Sequence, residues 1–125
     1  MSLEVQLVAP YRHGVFSASV GNSATVLFTP PLNSKSRVAK IVAYNADSVA
    51  HALVLVAYNP ATGAATQMLP AVPLAAGSFT VLEESQLPDV YLYQVAGQAP
   101  QSWAAYVTGS VSTAGVQVAV EFAVE

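Results

Sequence analysis

The sequence predicts an all-β fold, a β-sandwich or jelly-roll-like barrel of eight or nine short, mainly antiparallel strands. Three observations lead there. Proline and glycine punctuate the chain at short intervals, the segments between them are rich in valine, tyrosine, phenylalanine and threonine, and no segment carries a helical period. With 125 residues and no compositional break, the chain reads as one domain, residues 1–125, large enough to bury a core without disulfides or metal.

Taken in order, strands are expected at Leu3 to Val8, Val15 to Val20 and Ala24 to Thr29. Thr29-Pro30-Pro31-Leu32-Asn33 then interrupts. Two consecutive prolines hold an extended segment that cannot donate to a ladder, which suits a rigid loop or an arm lying on a neighbour. Further strands follow at Val38 to Asn45 and Ala52 to Tyr58. The second is apolar on both faces, with His51, Leu53 and Leu55 on one side and Val54, Val56 and Tyr58 on the other, so it should be covered twice. Val42-Ala43-Tyr44-Asn45 recurs as Val56-Ala57-Tyr58-Asn59, and both copies read as strand ends running into turns. After the Asn59-Pro60 to Gly63 turn and the Ala76-Gly77-Ser78 turn come Ser78 to Glu83, Val90 to Val95 and Trp103 to Thr108. The last strand, Val116 to Val124, has the cleanest period of two: Val116, Val118, Val120, Phe122 and Val124 share one face, which should meet the core.

Charge is the anomaly. Charged residues are 9% of the chain and hydrophobic ones 54%, against a usual charged share of about 25%. None occurs from His13 to Ser34, from Ser48 to Leu82, or from Val90 to Val120. A surface built from such stretches calls for cover by other protein. The net charge of −3 with four basic residues speaks against a nucleic-acid partner. The longest apolar run, Val49 to Ala57, is about half the length of a membrane-spanning helix, so no membrane partner is expected. Met1 to Pro10 carries Glu4 and Gln6 inside its apolar stretch and has no basic region before it, so it does not read as a secretory signal.

No constellation for catalysis stands out, and the chain does not read as an enzyme. The absence of cysteine removes the thiolate nucleophile, thiolate zinc sites and disulfides together. His13, read as a loop residue, and His51, at the start of a hydrophobic strand, have no neighbouring donors that would make a ligand set. Glu83 and Glu84 point to opposite faces if on a strand and cannot form an acid-base pair. With Asp89 they make a weaker case for a calcium loop than for a polar strand exit. No catalytic, cofactor or metal site is assigned. Tyr91 and Tyr93 share a strand face, and with Trp103 and Tyr106 they are expected to form either a carbohydrate platform or a core and subunit contact.

The order Lys40-Ile41-Val42-Ala43-Tyr44-Asn45, the apolar strand Ala52 to Tyr58, Leu74-Ala75-Ala76-Gly77 leading into Ser78-Phe79-Thr80-Val81-Leu82, and the closing Val116 to Val124 resemble small all-β virion proteins of tailed bacteriophages. The resemblance covers residues 37–125. It implies a capsid decoration, or cement, protein that binds and stabilises the head shell as an oligomer, a trimer in many such proteins. Its partners would be copies of itself and the major capsid protein or another virion protein, and its location the virion, assembled in the host cytoplasm. It also implies an N-terminal arm, residues 1–11, reaching a neighbour through Leu3, Val5, Leu7 and Tyr11. Thr29 to Leu32, with Pro30, Pro31 and Leu32, would form a second contact, and the aromatic residues Tyr91, Tyr93 and Trp103 are further interface candidates. A tail, neck or head-fibre component is the first alternative, and a small carbohydrate-binding β-sandwich the second.

Overall fold

The computed structural model describes residues 11–112 and 115–125, with side chains from residue 17 onward. Among the described residues there are ten strands: β1 (Tyr11–Val20), β2 (Thr25–Phe28), β3 (Ser34–Asn45), β4 (His51–Tyr58), β5 (Ala65–Gln67), β6 (Val72–Leu74), β7 (Phe79–Leu82), β8 (Leu92–Gln94), β9 (Ser102–Val107) and β10 (Val116–Val124). A 3-10 turn, Glu84–Gln86, separates β7 from β8. The expected strand Leu3 to Val8 lies outside the described residues. The first described strand begins at Tyr11, four residues before the expected start, so His13 is a strand residue paired with Phe122 and not a loop residue.

All pairings are antiparallel and fall into two five-stranded sheets. The first runs β1-β10-β3-β7, with β8 also on β3; the second runs β2-β9-β4-β5, with β6 also on β4. Taken as interrupted strands, β5 with β6 and β7 with β8 reduce the set to eight positions. These stand in the order 1-8-3-6 and 2-7-4-5, as if one long hairpin pairing first with last had been rolled up. That is the jelly-roll arrangement, whose two Greek keys limit the number of open sheet edges.

The period-two pattern explains which faces meet. Val116, Val118, Val120, Phe122 and Val124 are all buried, as are Leu53, Leu55 and Ala57 of β4 and Trp103, Ala105 and Val107 of β9. Phe122 anchors the aromatic centre, with ring centroids 5.0 Å from Phe28 and 5.8 Å from Trp103. In β3 a strict alternation would send Val38 and Ile41 to opposite faces, yet both are buried. Ala39 is the extra residue of a bulge opposite Glu121 and Phe122, and it returns Ile41 to the core side. The outer face of β4 is buried too: Val54 and Val56 cluster with Ala104, flanked by Ala24, Tyr58 and Tyr106.

Charge divides between the sheets. The strands of the second sheet contain no Asp, Glu, Lys or Arg. The strands of the first sheet hold Arg12, Lys35, Arg37, Lys40 and Glu121, and the segments that adjoin them Glu83, Glu84, Asp89 and Glu125, several of them joined as ion pairs: Lys35–Glu125 at 2.9 Å, Arg37–Glu84 at 3.5 Å and Lys40–Glu83 at 3.6 Å.

Candidate interaction surface

One end of the sandwich is formed by the β2–β3 connection, β8 and the β8–β9 connection, and each is fixed by local chemistry. After Pro30 and Pro31, Asn33 takes a left-handed conformation at φ 60°, which asparagine tolerates better than most residues, and turns the chain into β3. The Ser34 hydroxyl donates to the Pro31 carbonyl at 2.6 Å and closes that turn. Thr29 and Ser102 hydroxyls share a 2.8 Å hydrogen bond, tying the loop to β9. Across the end, the buried Gln94 amide braces the 95–101 loop from both directions. Its Nε2 donates to the Gln101 carbonyl at 2.6 Å and its Oε1 accepts the Gln101 N–H at 3.2 Å. Gly97, at φ 86°, supplies the reversal that the loop needs.

These braces hold three large apolar side chains out in solvent: Leu32 at 62% exposure, Tyr93 at 59% and Val95 at 44%. They are neighbours. A hollow of about 190 Å³ is lined by Thr29, Pro30, Leu32, Gln94, Val95 and Pro100, and an adjoining one of about 310 Å³ by Lys35, Tyr93, Val95 and Glu125. Among the described residues that line the two hollows, the charged ones, Lys35 and Glu125, pair with each other, and Lys35 lies 4.7 Å over the Tyr91 ring. Glu125 raises the Lys35 pKa by accepting its hydrogen bond. The result is a rigid, locally neutral, apolar end surface.

Of the interface candidates read from the sequence, the structure brings Pro30, Pro31, Leu32, Tyr91 and Tyr93 to this end, with Pro30 itself buried and Pro31 exposed. Tyr11 belongs to β1, where its backbone pairs with Val124. Leu3, Val5 and Leu7 lie outside the described residues. Trp103 is corrected: it is fully buried between the sheets, where its indole N–H donates to Ser36 Oγ at 2.9 Å, so it offers no surface to a partner or a sugar. The reason was present in the sequence. Trp103 alternates with Ala105 and Val107, whereas Tyr106, three residues on, falls on the opposite face. An aromatic platform is thus reduced to Tyr91 and Tyr93, whose rings are tilted by 45° at 6.2 Å. Val95 was not singled out by sequence reasoning. Its spacing of two from Tyr93, just ahead of the Gly97 turn, was the available signal.

The carboxylates considered for calcium are taken up by cations instead. Glu84 and Asp89 both approach Arg37, and Glu83 approaches Lys40. Among the described residues no group of three His, Asp or Glu side chains is placed to hold a metal ion. His51 and Asp47 form a buried ionisable pair, Nε2 to Oδ2 at 2.7 Å, while His51 Nδ1 meets the Thr108 carbonyl at 2.7 Å. Both ring nitrogens face acceptors, so the imidazolium, with two donors, fits the site. The Asp47 contact first, and the Thr108 carbonyl second, raise the His51 pKa; the His51 hydrogen bond and the Ser112 N–H lower that of Asp47 to about 2. The pair ties the β3–β4 loop to the β9–β10 loop.

Fold and surface together define a jelly-roll β-sandwich with an apolar end surface. No protein-family model matches the chain, and no curated protein matches it. Among solved structures it is similar to a chain of the infectious bursal disease virus Gx strain structure, with 16% identity, a TM-score of 0.34, and coverage of 93% of this chain and 41% of that one. A chain of the Gt strain structure matches with 14% identity and a TM-score of 0.28, covering 99% of this chain and 45% of that one. This chain therefore spans less than half the length of those two. The likeness is to a virus structure and not specifically to a tailed-phage one, and at these TM-scores it carries no argument about function.

Proposed function

We propose that this protein is a structural component of a virus particle, a decoration subunit that associates with copies of itself through its end surface and lies on the particle shell. The observation that carries the reading is the cluster of Leu32, Tyr93 and Val95, held exposed by braced loops at a rim whose charges are already paired. Side chains of that kind cost solubility in an isolated domain, and they gain stability when a neighbour removes them from water, at about 25 cal/mol per Å² of apolar area. Rigid loops add to this because little conformational entropy is lost on contact. The jelly-roll fold supports the reading by analogy, being frequent in viral capsid domains, although it also serves lectins and cupins. The uncharged second sheet offers a further neutral face towards a shell.

The test is density-gradient fractionation of particles assembled with the protein present. The wild-type chain is expected to band with the particles, and Leu32→Glu/Val95→Glu to remain at the top of the gradient while keeping its fold. Wild-type protein found only at the top would refute the proposal.

A further inference from the structure

The first sheet ends at β7, and that edge has a character of its own. Asn45 N–H donates to the Ser78 carbonyl at 3.0 Å, and the register pairs Ala43 with Thr80 and Ile41 with Leu82. Those positions direct their backbone groups towards β3, so Phe79 and Val81 direct theirs to the open edge. No other strand pairs with that edge among the described residues. The same two residues expose their side chains on the outer face, Phe79 at 71% and Val81 at 46%, where Phe79 stacks on Tyr44 at 4.5 Å.

Open edges are normally blunted by proline, lysine or a bulge. The edge strands β1 and β2 each carry a register shift, and β6 carries Pro73. Phe79-Thr80-Val81-Leu82 has none of these devices.

We infer that β7 is a two-fold contact, pairing antiparallel with β7 of a second copy so that Thr80 faces Thr80 across the axis. In this register Phe79 of one copy lies opposite Val81 of the other, twice. All the outward N–H and C=O groups of both residues are then satisfied by four interchain hydrogen bonds. The cross-strand pairs created, aromatic with β-branched and threonine with threonine, are among the favourable ones. No like charges collide: Glu83 would face Gly77 of the partner, and it is already engaged by Lys40. Registers centred on Phe79 or on Val81 also set outward groups opposite outward groups, but each makes only two such bonds within β7 and leaves the other residue opposite Gly77 or Glu83, whose N–H groups are already bonded to the Asp47 carbonyl and to Gln86 Oε1. The contact lies about seven residues along β3 from the end surface, on the order of 20 Å, and it stands or falls separately from the function proposed above.

Thr80→Cys tests it in a chain that has no other thiol. A facing non-hydrogen-bonded pair places the two Cα atoms about 4.5 Å apart, inside the range for a disulfide. With oxidised glutathione as oxidant, two thiols give one interchain disulfide and two reduced glutathiones. Thr80→Cys is expected to cross-link at least about tenfold faster than Val81→Cys, whose thiol faces Phe79 and not itself, because pre-association raises the effective thiol concentration. Adding Val81→Pro, which removes an outward donor and no bond to β3, should abolish the advantage, as should Val81→Lys, which keeps the donor and adds charge at the edge. Leu32→Glu should leave it intact. Equal rates for the two cysteine variants, or cross-linking that survives both Val81 changes in folded protein, would overturn the contact.

Discussion

Ser36 and Trp103 meet across the core, one from each sheet, and both are buried with the indole N–H donating to the hydroxyl at 2.9 Å. Ser36→Ala removes the acceptor and strands a donor where water does not reach. An unsatisfied buried donor costs about 1–3 kcal/mol, and a loss of about 2 kcal/mol lowers Tm by on the order of 8 °C in a domain of this size. Trp103→Phe removes the donor together with indole volume and should cost at least as much. The double variant is the decisive comparison. With both partners gone, nothing is left unsatisfied, so its cost should fall short of the sum of the single costs by about 1 kcal/mol. Urea unfolding followed by circular dichroism reads all four proteins on one scale. If Ser36→Ala lies within about 0.3 kcal/mol of wild type and the double variant is additive, the hydrogen bond is not holding the sheets together as argued.

Two further outcomes follow from the loop clamp and its neighbour. His51 has its pKa raised above 6.5 in the folded protein, so its stabilising contribution is complete below that value and is lost as pH rises through the folded pKa; the contribution of Asp47, lowered from 3.8 to about 2, is complete above 3.8 and is lost as pH falls towards 2. Amide exchange at residues 108–112 should therefore accelerate on the alkaline side, and His51→Asn should flatten that dependence; an imidazole titrating below 6.5 by NMR would contradict the clamp. Asn45 donates to the Val49 carbonyl at 2.9 Å and the Leu74 carbonyl at 3.2 Å and accepts the Asp47 N–H at 3.0 Å. Asn45→Ala should cost about 1–3 kcal/mol in denaturant unfolding, and a cost below about 0.5 kcal/mol would show that these bonds are replaced by water.

Much of the fold is legible because period two is a local signal. The inward residues of β10, the doubly buried β4 and the two Val-Ala-Tyr-Asn strand ends can be read directly. Both asparagines then do what a turn-starting asparagine does, accepting the N–H two residues on, Asp47 in one case and Ala61 in the other. The short strands β5 and β6 escape because three residues carry too little pattern, and Pro73 in β6 argues against a strand that an edge position in fact permits. Sheet order is invisible locally, since β1 with β10 and β2 with β9 join the ends of the chain. The candidate surface was half legible. Pro30, Pro31, Leu32, Tyr91 and Tyr93 could be suspected from rigidity and aromatic content, but their convergence depends on β3 pairing with β8. Trp103 was misplaced because aromatic content was weighed above its alternation with Ala105 and Val107. The unblunted β7 edge could not be seen until the sheet order was known.

The most direct test of self-association through the end surface is the native mass by light scattering over a concentration series. The wild-type chain should run well above its 12.9 kDa subunit mass, Leu32→Glu/Val95→Glu should fall to a smaller species, and adding Val81→Pro should leave the monomer. A wild-type protein that stays at the subunit mass at the highest concentration, or an end-surface variant with unchanged mass, would contradict the account.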